Sequence, residues 1–128
     1  GFLACTLAAP CAPLQALADD CVRELDPFRA PPSPAELAKR RAAGLTPLQE
    51  AMLSRWGYPH VMAAFRFHLT LTGPLADVPP ELEHAVASAA RQAVAELAGE
   101  PLPCDAVCLF TQATPEAAFR LVRRFPFG

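Results

Sequence analysis

Residues 65–73 read FRFHLTLTG and alternate apolar and polar side chains without a break. In an extended strand successive side chains point to opposite faces. Phe65, Phe67, Leu69 and Leu71 therefore fall on one side, and Arg66, His68, Thr70 and Thr72 on the other. A strand of this kind belongs to a sheet that is covered on one face and open on the other. The open face carries an imidazole, two hydroxyls and a guanidinium, groups that together grip a phosphate and move a proton near neutral pH.

The remaining segments supply partners for such a strand. Residues 2–8 are apolar and uncharged, the pattern of a central strand buried on both faces. Pro13 sits where a first helical turn tolerates it, and Leu14, Leu17, Ala18, Cys21, Val22 and Leu25 follow at helical spacing until Asp26-Pro27 ends the helix. The PFRAPPSP run, residues 27–34, has four prolines in eight positions and is an extended connection. Ser33-Pro34 opens a short exposed helix that Gly44 closes. Thr46 then caps a second helix, with Pro47 at its first position and Glu50 close to the capping-box position. These two helices make residues 27–58 a helical insertion in an otherwise compact αβ pattern.

Further on, Pro79-Pro80 introduces a helix over residues 79–98. Its apolar face is Leu82, Ala85, Val86, Ala89, Ala93, Val94 and Leu97, and Gly99 stops it. Strands over 102–110 and 117–125 follow. The element order predicts an α+β fold: a four-stranded, mainly antiparallel sheet with two helices on one face and the other face free for ligands.

At 128 residues the chain has the length of one domain, and folding a chain of this size buries roughly two-thirds of its surface. A net charge of -2 and 19% charged residues give no basic stripe, which argues against a duplex nucleic acid partner. No apolar run reaches the ~20 residues that a membrane-spanning helix needs, so no membrane partner is expected. The opening GFLACTLAAPCA lacks a basic leader segment and is broken by Pro10, so it is read as strand. The five cysteines, Cys5, Cys11, Cys21, Cys104 and Cys108, have neither C-x-x-C spacing nor a nearby histidine at zinc-site spacing. They read as reduced thiols of a cytoplasmic protein, with no metal and no cofactor implied.

On a strand, His68 and Thr70 lie about 6.5 to 7 Å apart on one face, a gap that one phosphate group bridges. The Thr hydroxyl would bond a phosphate oxygen while the imidazole reaches the bridging oxygen. H-x-T alone is a weak signal. It gains weight from its surroundings: RWGYPHVMAAFRFHLTLTG, with GFLACTLAAP before it and CLFTQATPEAAFRLVRRF after it, resembles the C-terminal half of a bacterial family of phosphonate metabolism proteins, a branch of the 2H phosphoesterase superfamily. The resemblance implies two pseudo-symmetric α+β lobes, each giving one His-x-Thr/Ser strand to a shared cleft. It also implies metal-independent attack on a cyclic phosphate or phosphodiester, such as a nucleotide, an RNA terminus or a phosphonate-pathway intermediate. On this reading His68 is a catalytic acid or base, Thr70 holds the phosphate, and Arg66, Thr72 and Tyr58 are substrate-binding candidates.

The sequence departs from the family pattern in one respect. His60 is followed by Val-Met and His84 by Ala-Val, so neither begins a second His-x-Thr/Ser motif. The chain is accordingly read as one lobe whose N-terminal counterpart lies elsewhere in a longer protein, and these 128 residues alone are expected to be inactive. The expected partners are a small phosphorylated substrate and that missing lobe. The Lys39, Arg40, Arg41 cluster reads as the wet side of a short helix that also attracts anions. The competing reading is a non-catalytic small-molecule or nucleotide-binding α+β module, in which His68 and Thr70 are only ligand contacts.

Overall fold

The computed structural model describes residues 1–95 and 101–128. Its elements are β1 (Ala4–Thr6), α1 (Ala12–Leu25), α2 (Pro34–Ala42), α3 (Pro47–Trp56), β2 (His68–Thr70), α4 (Pro80–Val94), β3 (Ala106–Thr111) and β4 (Arg120–Pro126), with single 3₁₀ turns at Asp26–Phe28 and Met62–Ala64. The fold is α+β, as the element order predicted. The chain divides into two compact units, Gly1–Arg91 and Gln92–Gly128.

In place of one four-stranded sheet, the described strands form two separate antiparallel ladders, β1 with β2 and β3 with β4. Periodicity identifies which segments are extended, but it does not say which edges pair. In the first unit β1 is three residues long and, among the described residues, pairs only with β2, so it is not the central strand its composition suggested. Beyond the ladder, Leu71 N–H donates to the Leu3 carbonyl, Leu3 N–H to the Thr72 hydroxyl, and Leu75 N–H to the Gly1 carbonyl. The pairing thus continues irregularly where regular strand stops.

Helix α1, expected to pack with α4 on one sheet face, instead meets α3 at the Met62–Ala64 turn that leads into β2. The apolar face of β2 is consequently open: Leu69 is 47% exposed and Leu71 is also exposed, while Phe65 and Phe67 are half-buried.

Residues 27–58 contain the two expected helices, and their ends follow local rules closely. Ser33 caps α2 in a capping box with Glu36, and Pro34 takes the first turn. Thr46 caps α3, but Gln49 completes that box where Glu50 was expected. Glu50 instead receives a forked hydrogen bond from Arg41 on α2, at 2.6 Å from Nη2, which ties the two helices together. Both paired side chains are solvent-exposed, and each shifts the other toward its charged form. The Arg41 bond holds the Glu50 carboxyl below its ordinary pKa, and Glu50 raises that of Arg41. Gly57 ends α3 at φ +71°, a left-handed cap that suits glycine, with its N–H on the Leu53 carbonyl at 2.8 Å. Among the described residues the one fully buried apolar side chain is Leu53, 1% exposed, and it lies on α3.

Helix α4 begins at Pro80 and is described to Val94; the predicted Leu97 contact and Gly99 stop lie outside the described residues. None of its residues is fully buried, and Leu82, placed on its predicted apolar face, is 53% exposed. In the second unit β3 and β4 form a hairpin, with the register shifting by one residue between Leu109 and Phe110. That bulge leaves Val122 without a partner and separates Arg120 from Arg123 and Arg124. Arg124 pairs with Asp105, and Arg123 lies over the Phe125 ring at 4.9 Å.

Candidate functional site

The β1–β2 register sets Thr6 opposite His68 and Ala4 opposite Thr70. Residues directly opposite one another in an antiparallel pair share a face, so Thr6, His68 and Thr70 present two hydroxyls and an imidazole on one surface. All three are exposed. Thr6 was not singled out from the sequence, because nothing local in GFLACTLAAP marks it; its place depends on a strand pairing across more than sixty residues.

The chemistry of His68 follows from its partner. Its Nδ1 lies 2.8 Å from the Arg66 carbonyl oxygen. A carbonyl only accepts, so in the neutral imidazole the proton sits on Nδ1 and the lone pair on Nε2. That tautomer suits a general base, with Nε2 free to receive a proton. The Phe2 ring lies beside the imidazole, centroids 5.6 Å apart and planes tilted by 41°, and narrows the approach on one flank.

The other candidates have different engagements. Arg66 folds back on the chain, Nη1 donating to the Phe65 carbonyl at 2.6 Å and to the Ala63 carbonyl at 3.2 Å. Thr72 is half-buried and its hydroxyl accepts from Leu3 N–H at 3.0 Å, so it clamps β1 to β2. Tyr58 makes its contacts with Arg40, whose guanidinium carbon is 4.7 Å from the ring centroid, and with the edge of His60. His84 is exposed on α4.

The approach to β2 is held by a residue that sequence reasoning passed over. Met62 has φ +52°, a left-handed conformation unusual for a methionine. Its carbonyl accepts from Phe65 N–H at 2.8 Å and from Gln15 Nε2 of α1 at 3.1 Å. Gln15 is itself steadied by Asp19 one turn on, at 2.8 Å. The only local signal for it is a polar pair at i, i+4 on an otherwise apolar helix face. Among the described residues no cluster of three His, Cys, Asp or Glu side chains is arranged to hold a metal, and all five thiols are free.

No solved structure matches the chain. A protein of Janthinobacterium sp. (strain Marseille) named ribose 1,5-bisphosphate phosphokinase PhnN is 40% identical over 128 residues, which cover 99% of this chain and 28% of that protein. A protein of the same name from Laribacter hongkongensis (strain HLHK9) is 35% identical over 85 residues, 62% of this chain and 18% of that protein. The chain thus spans less than a third of the length of either relative. Among the described residues no helix is long and apolar enough to cross a membrane. A family profile described as protein of unknown function (DUF1045) matches residues 1–120, and the chain belongs to that family.

Proposed function

We propose that this chain carries one His-x-Thr half of a metal-independent 2H-type phosphoesterase that hydrolyses a small cyclic phosphate or phosphodiester. The observation that supports this most is the His68 Nδ1 bond to the Arg66 carbonyl, which leaves the Nε2 lone pair free on the strand face that also carries Thr6 and Thr70. In the proposed step, water attacks phosphorus and gives a proton to His68 Nε2. The new P–O bond forms as the ester P–O bond breaks, and the leaving alkoxide takes its proton from a second acid. Thr70, assisted by Thr6, donates to the non-bridging phosphate oxygens as charge builds on them.

The second acid is a histidine outside these 128 residues, because neither His60 nor His84 begins a second His-x-Thr/Ser motif. The whole enzyme is then a two-lobed cytoplasmic protein in which residues 1–128 form one lobe and residues 27–58 an insertion beside the cleft. A small phosphorylated sugar, an intermediate of phosphonate metabolism, is the substrate class that accords with both the resemblance and the relatives' name. Phosphokinase activity is not assigned to these residues, since they contain no G-x-x-x-x-G-K-[ST] run to cradle a nucleoside triphosphate.

A screen of the full-length protein against cyclic phosphates and phosphodiesters, with and without chelator, tests the proposal. Chelator-resistant hydrolysis is expected. Hydrolysis abolished by chelator would refute the metal-independent mechanism, and ligand binding with no turnover would favour a non-catalytic binding module.

A further inference from the structure

A basic hollow in the first unit has neither His68 nor Thr70 in its lining. A hollow of about 400 Å³ is lined by Lys39 and Arg40 of α2, by Tyr58, Pro59 and His60 after α3, and by Glu36. Hollows of this volume accept small metabolites. Among the described residues Lys39 and Arg40, like Arg66, Arg120 and Arg123, are in no ion pair, whereas Arg23, Arg29, Arg41, Arg55 and Arg124 each have a carboxylate partner. Arg40 Nε is buried without a hydrogen-bond partner, and the guanidinium is held against the Tyr58 ring. Arg40 feels the Glu36 carboxylate one turn back but forms no ion pair with it, and with Lys39 beside it the lining carries more positive than negative charge, which an anion would match.

The other polar groups have the same polarity. Gln49 Oε1 accepts from Thr46 N–H at 2.9 Å, which fixes the amide so that Nε2 faces His60 Nδ1 at 3.4 Å. An amide nitrogen only donates, so Nδ1 accepts and the neutral His60 carries its hydrogen on Nε2. His60 is therefore in the opposite tautomer to His68, a donor where His68 is an acceptor. Glu36 is the one carboxylate in the lining. Its Oε2 is engaged by the Ser33 N–H and hydroxyl at 2.7 and 2.8 Å, and these bonds, with a smaller pull from the Arg40 charge, hold its pKa below the ordinary value.

We infer that this hollow binds the phosphate group of a small phosphate monoester through Lys39, Arg40 and His60, with Tyr58 holding the guanidinium in place. Two cations against one carboxylate, plus neutral donors, suit a dianion better than a singly charged carboxylate. The site is distinct from His68 and Thr70 and would hold a ligand group that is not the one being hydrolysed.

The test is an NMR titration of the His60 ring resonances in the full-length protein with inorganic phosphate at constant ionic strength, with acetate as the comparison anion. Phosphate should move them saturably and acetate should not. Lys39→Gln, an exposed change that spares the fold, should weaken the phosphate response about fivefold, and His68→Ala should leave it unchanged. A His60 response that is absent, equal with acetate, unaltered by Lys39→Gln or lost in His68→Ala would overturn the inference. Hydrolysis of diesters would be untouched by that failure, so the two proposals stand or fall separately.

Discussion

Truncating Leu53 should loosen the α2–α3 pair far more than truncating Leu48 on the same helix. Leu53 is 1% exposed on α3, whereas Leu48 on the same helix is 44% exposed. Leu53→Ala removes three carbons from a buried site, about 2.4 kcal/mol at roughly 0.8 kcal/mol per buried carbon. A new cavity ordinarily adds to that loss. Here the side chain already borders a hollow of about 400 Å³ between Arg29, Leu37, Arg41 and Gly57, so the vacated space joins existing space and the added cost is small. The expected loss is about 2.5 kcal/mol, near the low end for a buried leucine. Amide hydrogen exchange in the full-length protein reads this locally, whatever the cooperativity of the rest of the molecule. Amides of α2 and α3 should exchange roughly 70-fold faster in Leu53→Ala, with less than a fivefold change in Leu48→Ala. Equal effects of the two substitutions, or less than a fivefold effect for Leu53, would refute the claim that one leucine anchors this segment.

Gly57→Ala should cost about 1 to 2 kcal/mol in the same exchange assay, because alanine disfavours φ +71° and its Cβ would lie 2.6 Å from Arg29 Nη1. That guanidinium would move away from Asp26, and an unchanged exchange rate at α3 would contradict the left-handed cap. Acid should destabilise the α2–α3 pair. The Ser33 bonds lower the folded-state pKa of Glu36 and the Arg41 bond lowers that of Glu50, so both stabilise above the unfolded carboxylate pKa of about 4.3 and lose that contribution as pH falls through their folded values. Exchange at α2 and α3 should accelerate below about pH 4.3 in the native chain, and this acid-dependent part should shrink in Glu36→Gln/Glu50→Gln. Gln15→Leu should free the Met62 carbonyl at a cost of about 1 kcal/mol and speed exchange at Phe65 N–H; an unaltered rate there would show that the turn holds itself.

Much of the helical architecture is legible in the sequence because its determinants are local. Ser33-Pro34, Gly44 and Thr46-Pro47 each act within about one turn of the helix end they mark. The α+β class is legible for the same reason. Pairing is not: His68 and Thr70 are visibly strand residues, but whether their ladder adds β3 and β4 is decided by edges that hydrophobic alternation does not encode. The candidate site divides along the same line. The H-x-T spacing is visible in one segment, whereas Thr6 opposite His68 and the Gln15 bond to Met62 exist only once distant segments meet. Glu50 shows how a local rule misleads by one residue: Gln49 takes the capping-box position, which leaves Glu50 free to bind Arg41 across the helix pair.

The most direct test of the proposed catalysis is the turnover of full-length protein and its His68→Ala and Thr70→Val variants on a panel of cyclic phosphates and phosphodiesters, followed by phosphorus NMR in the presence of chelator. A positioned proton-transfer group contributes typically 10²- to 10⁴-fold, so His68→Ala should lower turnover by about that factor, equivalent to roughly 2.7 to 5.5 kcal/mol of barrier. Circular dichroism should be unchanged, since the exposed imidazole adds little to packing. Thr70→Val should cost about 1 to 3 kcal/mol through the lost hydrogen bond to phosphate. Turnover in His68→Ala within a factor of about ten of the native protein, or no hydrolysis of any diester on the panel by the native protein, would contradict the assignment of His68 as an acid–base residue.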